Sequence, residues 1–363
     1  MTLARFCEVG RNEPTIAVEQ TRVVIARSDT HAGDYTYSPS ITRAGASLYA
    51  SRDISCRYTE VFRSDDEGAT WSYTGRVDGM WWATIFEHRG DVYLIGRYTE
   101  GGPSGKGSSY IGITRSTDGG RTWTEICQDH GAISYYGYGP HCAPTPVLQL
   151  GGRLYRAFET VTPEKEKREF VISADVQSDL LCPDSWTISD YFTGYGFPNE
   201  ANAVKGSDGT VWIIARFVMN KAFLMKLNED GTIVAARESN KASEIDFPST
   251  PAKFTIRYDE IAKQYIGIAN TQFDINCEGQ RNYATLVASR DLVNWEVKEV
   301  LLCDREICHP TISVAQHAFQ YVDWIFDGED MLFVVRESAE DAANYHDSNY
   351  LTFYRIANYR NYL

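Results

Sequence analysis

Positive charge is scarce in this chain, which has 35 lysines and arginines against 49 aspartates and glutamates, a formal net charge of -14. Nucleic acids are bound by basic side chains that neutralise phosphates, so this balance argues against a nucleic-acid partner. Long apolar runs are also missing: no window reaches the ~18 apolar residues of a membrane span, and the opening residues MTLARFCEVG contain no signal-peptide core. We therefore expect no membrane partner and a cytoplasmic location, or secretion if an export signal precedes this sequence.

Closely paired cysteines are almost absent. The eight cysteines are scattered, at positions 7, 56, 127, 142, 182, 277, 303 and 308, and form no disulfide framework. Cys303 and Cys308 stand close together and, with His309, could belong to a zinc site, but a second spaced pair of ligands is missing. The sequence therefore predicts neither a metal nor another cofactor.

Apolar residues, by contrast, are plentiful: 43% of the 363 residues are hydrophobic and 13% are aromatic, enough for a substantial core. An alternating strand, a turn rich in glycine or aspartate, and a second strand with a central aromatic recur six times. The copies begin at Ser40, Thr84, Thr145, Asn202, Phe254 and Tyr321, and the matching aromatics, about 57 residues apart on average, are Tyr49, Tyr93, Tyr155, Trp212, Tyr265 and Phe333. Each repeat has room for four strands, which is typical of propeller blades.

The two ends of the chain offer strands that could close such a ring. Residues 22–28, RVVIARS, and 350–356, YLTFYRI, could complete one blade together and leave no exposed edge. No linker or low-complexity segment interrupts the run. We therefore predict an all-β fold, a six-bladed β-propeller of four-stranded antiparallel sheets, as a single domain over residues 1–363.

A second repeat falls between the hairpins. Residues 64–71 and 116–123 fit the pattern S-x-D-x-G-x-T-W, and residues 289–295 form a degenerate copy. Aspartate and glycine suit a tight turn, and the tryptophan can fill the gap between blades, so we interpret these segments as structural. Through these boxes at blade spacing, the sequence resembles the sialidase superfamily, also called the BNR or Asp-box propellers, over nearly its whole length.

In each predicted hairpin the first strand begins, and the second ends, at the same edge, because antiparallel partners run in opposite directions. Six such edges around one axis define one pocket. The residues before the first strands are Tyr37 and Ser38, Trp81 and Trp82, His141, Asn199 and Glu200, Ser249, and Gln320 and Tyr321. Those after the second strands are Arg52 and Asp53, Arg97, Glu159, Arg216, Asn270, and Arg336 and Glu337. These residue types predict a polar binding site rimmed with aromatic side chains.

Five residues at or near these edges match functional residues of the sialidase family. Asp53 stands where the family carries its acid/base aspartate, and Glu200 with Arg216 resembles the stretch that supplies the catalytic glutamate and a carboxylate-binding arginine. Arg281 stands where a second such arginine is expected, and Tyr321 takes the place of the tyrosine nucleophile. The resemblance implies a hydrolase in which a neutral phenol attacks an anionic sugar with Glu200 as its base.

One departure from the family concerns the substrate. The family begins its first inner strand with R-I-P, whose arginine completes a carboxylate-binding triad, whereas this chain has Tyr37 at that position. Arg52 or Arg97 could substitute from neighbouring edges, and Arg336 is a further candidate for substrate binding. The departure argues against sialic acid and favours another anionic sugar or a neutral one.

Several of these residues have a purely structural alternative. Glu200 and Arg216 could form an ion pair across one hairpin, Asp53 could belong to an exposed turn, and Tyr321 could be a core residue.

The remaining candidates are His141, His346, Trp81 and Trp82. His141 could transfer protons or be a satisfied loop histidine, and His346 with Asp347 could orient substrate or form a local turn. Trp81 and Trp82 could stack on sugar faces, although adjacent strand residues point oppositely, so one of them is expected in the core.

Three functions are compatible with this set of residues, and all three predict a carbohydrate partner. The first is an exo-acting, retaining glycoside hydrolase that uses Tyr321, Glu200 and Asp53. The second is a polysaccharide lyase, in which His141 or a tyrosine removes the proton beside a uronate carboxylate that arginines neutralise. The third is a carbohydrate-binding propeller without turnover, against which the ring of acids and arginines argues.

Overall fold

The computed structural model describes residues 20–102, 108–193, 196, 198–273, 279–304 and 310–363. Within these residues, 26 strands form six antiparallel sheets, arranged as the blades of a propeller. The prediction of an all-β, six-bladed propeller is therefore confirmed.

The strands run through the blades in chain order. The described chain begins with β1 (Gln20–Arg27), which joins blade six. Blade one contains β2 (Thr36–Ala44), β3 (Ser47–Ile54), β4 (Tyr58–Ser64) and β5 (Ser72–Asp78). Blade two contains β6 (Met80–His88), β7 (Asp91–Thr99), β8 (Ser109–Ser116) and β9 (Ala132–Ile133). Blade three contains β10 (Leu148–Leu150), β11 (Arg153–Val161), β12 (Lys167–Asp175), β13 (Trp186–Ile188) and β14 (Phe192–Thr193).

The second half of the ring follows the same order. Blade four contains β15 (Asn199–Lys205), β16 (Val211–Arg216), β17 (Lys221–Leu227), β18 (Ile233–Ala235) and β19 (Glu244–Asp246). Blade five contains β20 (Thr255–Asp259), β21 (Gln264–Ala269), β22 (Tyr283–Ser289) and β23 (Trp295–Cys303), and blade six contains β24 (Ala318–Asp327), β25 (Asp330–Ser338) and β26 (Tyr350–Ile356). The described helices are α1 (Asn240–Ser243), α2 (Pro310–Gln316) and the 3-10 turns Thr30–Ala32, Pro183–Ser185 and Tyr359–Tyr362. None of them has the length and apolar character needed to cross a bilayer.

Blade six is built from both ends of the described chain. Strand β1 pairs antiparallel with β26, with Gln20 opposite Ile356 and Arg27 opposite Tyr350. The sheet order is β1, β26, β25, β24, so β1 covers the outer edge of the C-terminal strands. This pairing satisfies an edge that would otherwise present unpaired backbone groups.

Blade three departs from the predicted hairpin. The sequence predicted a first strand from Thr145 onward, but β10 covers only Leu148–Leu150. Pro144 and Pro146 have no backbone N–H and cannot donate to a strand ladder, which accounts for the shortening. The chain before them nevertheless lies along β11.

Apolar side chains fill the spaces between blades. Six buried clusters are found, one at each contact between neighbouring blades, including the contact between blades six and one. For example, Leu286 of blade five and Trp324 of blade six share one cluster. Each blade therefore depends on its two neighbours for burial of its faces.

The copies of the second repeat form tight turns of one geometry. Asp66 Oδ1 accepts a hydrogen bond from Thr70 N at 2.8 Å, and Trp71 Nε1 donates to Gly68 O at 3.0 Å. The equivalent bonds in the other full copy join Asp118 with Thr122 at 3.0 Å and Trp123 with Gly120 at 3.1 Å. The Trp71 ring lies 5.4 Å from the Phe353 ring of blade six. These contacts support the structural interpretation of the repeat.

A belt of buried polar side chains, one from each first strand or its approach, surrounds the axis. The members of this axial belt are Ser40, Thr84, Thr145, Asn202, Thr255 and Asp323, all 2% exposed or less. Each belt residue makes a hydrogen bond to a neighbouring blade. Ser40 Oγ donates to Asp323 (2.6 Å) and accepts from Ile85 N (3.1 Å), and Thr84 Oγ1 donates to Thr145 O (2.9 Å). Thr145 Oγ1 donates to Ala201 O (2.9 Å), Asn202 Nδ2 to Phe254 O (3.1 Å) and Thr255 Oγ1 to Val322 O (2.7 Å). These hydrogen bonds link all six blades and satisfy the polar groups that the axis buries.

Candidate active site

Four first strands carry a β-bulge two residues before the axial belt. The residues at these bulges have left-handed backbones: Ser38 (φ 48°), Trp82 (φ 54°), Glu200 (φ 52°) and Tyr321 (φ 57°). Residues with a Cβ rarely adopt this conformation, and such strain concentrates at functional sites. A bulge also re-aims side chains: here Tyr321 reaches Glu200, and Ser38 reaches Asp53.

The carboxylate of Glu200 joins two of the candidate groups. Tyr321 Oη donates to Glu200 Oε1 at 2.6 Å, and Arg216 Nε lies 2.7 Å from Glu200 Oε2. Burial would raise the pKa of Glu200, but the positive charges of Arg216 and His141 and the bond from Tyr321 outweigh it and lower the pKa. Glu200 is therefore an ionised acceptor within reach of the phenol proton.

The Tyr321 phenol is neutral at physiological pH. Its pKa is raised above the ordinary value, mainly by burial and then by the charge of Glu200, against the opposing effect of nearby arginines. A neutral phenol is a weak nucleophile and needs a base at hydrogen-bond distance. Glu200 meets that requirement.

Three arginines, from blades four, five and six, lie near this phenol. Arg216 Nη1 and Arg281 Nη2 both donate to Pro251 O, at 2.6 and 3.4 Å, and Arg281 Nη1 donates to Gln320 Oε1 at 2.6 Å. The guanidinium carbon of Arg336 lies 5.0 Å from the centre of the Tyr321 ring. All three act to lower the pKa of the phenol, so three predicted arginines share one pocket.

Arg336 covers Tyr37, which holds the position where the sequence resemblance expects an arginine. The Arg336 guanidinium carbon lies 4.2 Å from the centre of the Tyr37 ring, and its Nη2 donates to His346 O. Tyr37 Oη donates to Asp347 Oδ1 at 2.9 Å, and the half-exposed His346 lies 2.9 Å from the same oxygen through Nδ1. His346 is thus on the rim beside Tyr37.

Asp53 is a further carboxyl group on which the charge of Arg336 acts. It is 1% exposed, and its carboxylate accepts from Trp82 N at 3.1 Å and Cys56 N at 3.3 Å. Burial raises the pKa of Asp53, although the Ser38 hydroxyl, the Trp82 N–H and the charge of Arg336 act the other way. A carboxyl group that keeps its proton to higher pH is suited to act as an acid.

His141 is held by a buried carboxylate. Its Nδ1 contacts Glu159 Oε1, which also accepts from Glu200 N at 3.0 Å, and its ring lies 4.5 Å from the Trp82 ring. Burial lowers the pKa of His141, but the paired Glu159 outweighs it and raises the pKa. The imidazole is therefore linked through Glu159 to the backbone that carries Glu200.

Arg97 lies against the paired tryptophans of blade two. Its guanidinium carbon is 5.2 Å from the Trp81 ring centre and 5.7 Å from that of Trp82. Trp81 is 5% exposed, in agreement with the expectation that one of the pair is a core residue, whereas Trp82 is only partly buried. Arg97 and Trp82 thus line the side of the pocket formed by blade two.

The structure does not bring Arg52 to this cluster. Its guanidinium donates to Ser28 Oγ at 3.1 Å and Thr36 Oγ1 at 2.8 Å and pairs with Glu60 at 2.9 Å. Arg52 and Asp53 are neighbours in β3, and neighbouring side chains in a strand face opposite sides. The contacts of Arg52 therefore do not support the prediction that it binds substrate or replaces the missing first-strand arginine.

Three buried groups near the site were not assigned a role from the sequence. Glu159 orients His141, as described above. Lys253 occupies in blade five the place that Tyr321 holds in blade six; its Nζ donates to Val322 O at 2.8 Å, and burial lowers its pKa to about 7. The third is Glu169, the strand partner of Glu159. A charged residue inside an otherwise alternating apolar strand was the available signal for Glu159 and Glu169.

We expect Glu169→Gln to make the protein more stable above about pH 5, by on the order of 1–3 kcal/mol. Burial, and then the charges of Glu159 and Glu200, raise the pKa of Glu169 well above its ordinary value. As pH rises past the ordinary pKa, the unfolded chain loses this proton while the folded protein keeps it, so Glu169 costs the fold stability with increasing pH. Glutamine removes that dependence.

Urea unfolding of both proteins at pH 4.5 and pH 8 measures the effect. Glu166→Gln, at an exposed carboxylate of the same hairpin, is the matched control. An advantage of Glu169→Gln that fails to grow between the two pH values would contradict the prediction.

Among the described residues no group of three or more histidine, cysteine or acidic side chains is arranged to hold a metal ion. Of the sequence-derived zinc candidates, Cys308 and His309 lie outside the described residues.

Six blades around a polar axial pocket define this fold as a sialidase-like propeller. Solved structures similar to the chain include the Hadza microbial sialidase Hz136 (16% identity, TM-score 0.64, 89% of this chain and 66% of that one) and Trypanosoma rangeli sialidase (12%, 0.68, 94% and 58%). A mutant α-L-arabinofuranosidase from Fusarium graminearum is also similar (10%, 0.61, 93% and 97%). The chain thus spans about two-thirds or less of these sialidase chains. No protein-family model matches the sequence, and no curated protein matches it.

Proposed function

We propose that this chain is an exo-acting, retaining glycoside hydrolase that removes a terminal anionic sugar from a glycan. The observation that carries the proposal is the 2.6 Å hydrogen bond from Tyr321 Oη to the Glu200 carboxylate in a pocket with three arginines. Glycosidases that act on acidic sugars can use tyrosine, because a carboxylate nucleophile would be repelled by the substrate carboxylate. The glycosidase names of the similar structures support the same class of reaction.

The proposed reaction has two steps. Tyr321 Oη attacks the anomeric carbon and gives its proton to Glu200, while Asp53 protonates the departing glycosidic oxygen and the carbon–oxygen bond breaks. Water then gives a proton to Asp53 and attacks the anomeric carbon, and Tyr321 leaves with the proton returned by Glu200. Two displacements at one carbon retain the anomeric configuration.

The three arginines support an acidic substrate. Arg216, Arg281 and Arg336 present cationic donors near the nucleophile, and guanidinium groups match a carboxylate through paired hydrogen bonds. Because Arg336 comes from blade six and stacks on Tyr37, the carboxylate would sit differently from its position in a pocket with a first-blade arginine. This difference favours a uronate or another sugar acid over sialic acid.

The test is incubation of the protein with sialosides, uronides and neutral rhamnosides, with products followed by chromatography and proton NMR. We expect release of one terminal acidic sugar with the anomeric configuration of the substrate. Release of a neutral sugar, inversion, or binding without turnover across the panel would contradict the proposal.

One observation favours a second candidate, a polysaccharide lyase. The contact between His141 and the buried Glu159 orients an imidazole beside the pocket, as a proton-transferring residue requires. The raised pKa of His141, however, leaves less of the neutral base at neutral pH. The same reactions, followed by ultraviolet absorbance, would reveal the unsaturated uronate that only a lyase forms.

A further inference from the structure

The segment 134–141 of blade three presents two exposed aromatic side chains on the face that carries the pocket. Tyr138 is 66% exposed and Tyr136 is 49% exposed, and the only other large exposed aromatic among the described residues is Tyr73 on the outer strand of blade one. Single exposed hydrophobic side chains are common on protein surfaces, but exposed aromatic rings grouped beside a polar site make a candidate binding surface. We name Tyr136 and Tyr138 the tyrosine pair.

The tyrosine pair is held on a rigid backbone. Tyr138 N donates to Val161 O at 2.7 Å, which extends the pairing of this segment with β11. Tyr136 is held at two points: its backbone N–H donates to Tyr191 Oη at 2.9 Å, and its Oη donates to Glu164 Oε1 at 2.5 Å. The backbone of both residues and the Tyr136 ring are therefore positioned before a ligand binds, which reduces the conformational entropy lost on binding.

The tyrosine pair is continuous with the candidate active site. Gly139 follows Tyr138 directly, and a Cβ at Gly139 would come within 2.6 Å of Arg97 Nη2, so the backbone of this segment lies against the Arg97 guanidinium. The φ of 67° at Gly139 favours glycine. His141, two residues further on, pairs with Glu159. The exposed rings therefore stand at the edge of the pocket, beside Arg97 and His141.

The axial belt lies directly beneath the candidate site. The axial belt joins all six blades by buried hydrogen bonds beneath Glu200 and Tyr321. A terminal sugar bound above this belt of buried side chains would direct the rest of its chain away from the belt, over the rim. Sugar rings present apolar C–H faces that pack on aromatic rings, and a tyrosine adds a hydrogen-bonding hydroxyl.

We propose that Tyr136 and Tyr138 bind the sugar residues on the leaving-group side of the scissile bond, so that the substrate is an oligosaccharide or polysaccharide rather than a small glycoside. The inference rests on the proposed hydrolase for the direction in which the chain runs. Its ligand class, a glycan chain longer than the terminal sugar, follows from the place of the exposed rings beside Arg97 and His141, outside the cluster around Glu200 and Tyr321.

The first test compares two substrates that carry the same terminal sugar, a 4-methylumbelliferyl glycoside and an oligosaccharide. We expect Tyr138→Ala to lower kcat/KM for the oligosaccharide roughly tenfold relative to its effect on the aryl glycoside, and Tyr136→Ala to act in the same direction. Tyr73→Ala, at a tyrosine 54% exposed on another blade, is the matched control and should change neither value. Equal losses on both substrates with Tyr138→Ala would overturn the inference.

The second test needs no turnover. The wild-type protein and the same three variants are run in native gels that contain polysialic acid or polygalacturonate. If the gels retard the wild type and Tyr73→Ala but not Tyr138→Ala, the tyrosine pair is supported as a glycan site. This support holds even if the protein hydrolyses nothing, because the absence of hydrolysis would refute only the proposed function. The glycan site is refuted if neither gel retards the wild type and Tyr138→Ala does not change the ratio of kcat/KM for the oligosaccharide to kcat/KM for the aryl glycoside. A shift from dimer to monomer in Tyr138→Ala on gel filtration would assign the pair to self-association instead.

Discussion

Replacing Tyr321 with phenylalanine is expected to lower turnover at least about a thousandfold, because it removes the proposed nucleophile and leaves the rest of the pocket in place. The lost hydroxyl leaves Glu200 Oε1 without its bond from the phenol, but Arg216 still pairs with Oε2 at 2.7 Å. The variant should therefore fold. Initial rates on the substrate found by product analysis, with circular dichroism to check the fold, measure the effect.

The matched control is Tyr265→Phe. Tyr265 is also a buried tyrosine with one hydroxyl bond, to Lys205 O at 2.8 Å, but it lies on the second strand of blade five, away from the pocket. Its loss should cost about 1 kcal/mol of stability and leave kcat unchanged. If Tyr321→Phe kept a tenth or more of wild-type turnover, tyrosine would not be the nucleophile.

The fold could be predicted from the sequence because one pattern reports it six times. Each predicted hairpin begins with, or shortly after its start contains, a polar residue of the axial belt, such as Ser40, Thr84 or Asn202. The tryptophans of the second repeat, which fill the gaps between blades, recur at the same spacing and indicate the blades independently. Where Pro144 and Pro146 interrupt blade three, the observed first strand is shorter than predicted. The first strands of blades one, two, four and six begin three or four residues earlier than predicted, at Thr36, Met80, Asn199 and Ala318.

The candidate site could be predicted only in part. In an antiparallel hairpin the first strand begins and the second ends at the same edge. This geometry alone grouped Asp53, Glu200, Arg336 and Tyr321 in one predicted site. The same geometry does not tell which of two adjacent edge residues points toward the axis. Arg52 was therefore predicted to lie in the site together with its neighbour Asp53.

The missing information lies in the bulges and in partners far apart in the sequence. A bulge such as the one at Tyr321, with φ 57°, leaves no composition signal in a single sequence, yet it decides where the side chain points. The stacking of Arg336 on Tyr37 joins the last blade to the first, 299 positions apart, and no local pattern predicts it.

We expect Asp53→Asn to lower kcat about a hundredfold to ten-thousandfold on substrates with a sugar leaving group, because asparagine cannot donate the proton that the glycosidic oxygen needs. Fluoride and dinitrophenolate are leaving groups that depart without that proton. With a glycosyl fluoride or a dinitrophenyl glycoside, attack on the anomeric carbon should therefore be nearly unaffected by Asp53→Asn. Asparagine can still accept from Trp82 N, as Asp53 does at 3.1 Å, so the pocket should keep its shape. The measurement is kcat/KM across leaving groups of decreasing pKa.

The pH profile gives an independent check on the same residue. Because burial raises the pKa of Asp53, it should keep its proton above the ordinary carboxyl range and set the alkaline limb of kcat/KM. Glu200, whose pKa the arginine and histidine charges lower, should set the acid limb, since it must be ionised to accept the phenol proton. In Asp53→Asn the alkaline limb should disappear while the acid limb remains. An alkaline limb that persists in Asp53→Asn, or an equal loss of activity with every leaving group, would assign the acid to another residue, and His141, whose pKa is raised by Glu159, would be the next candidate.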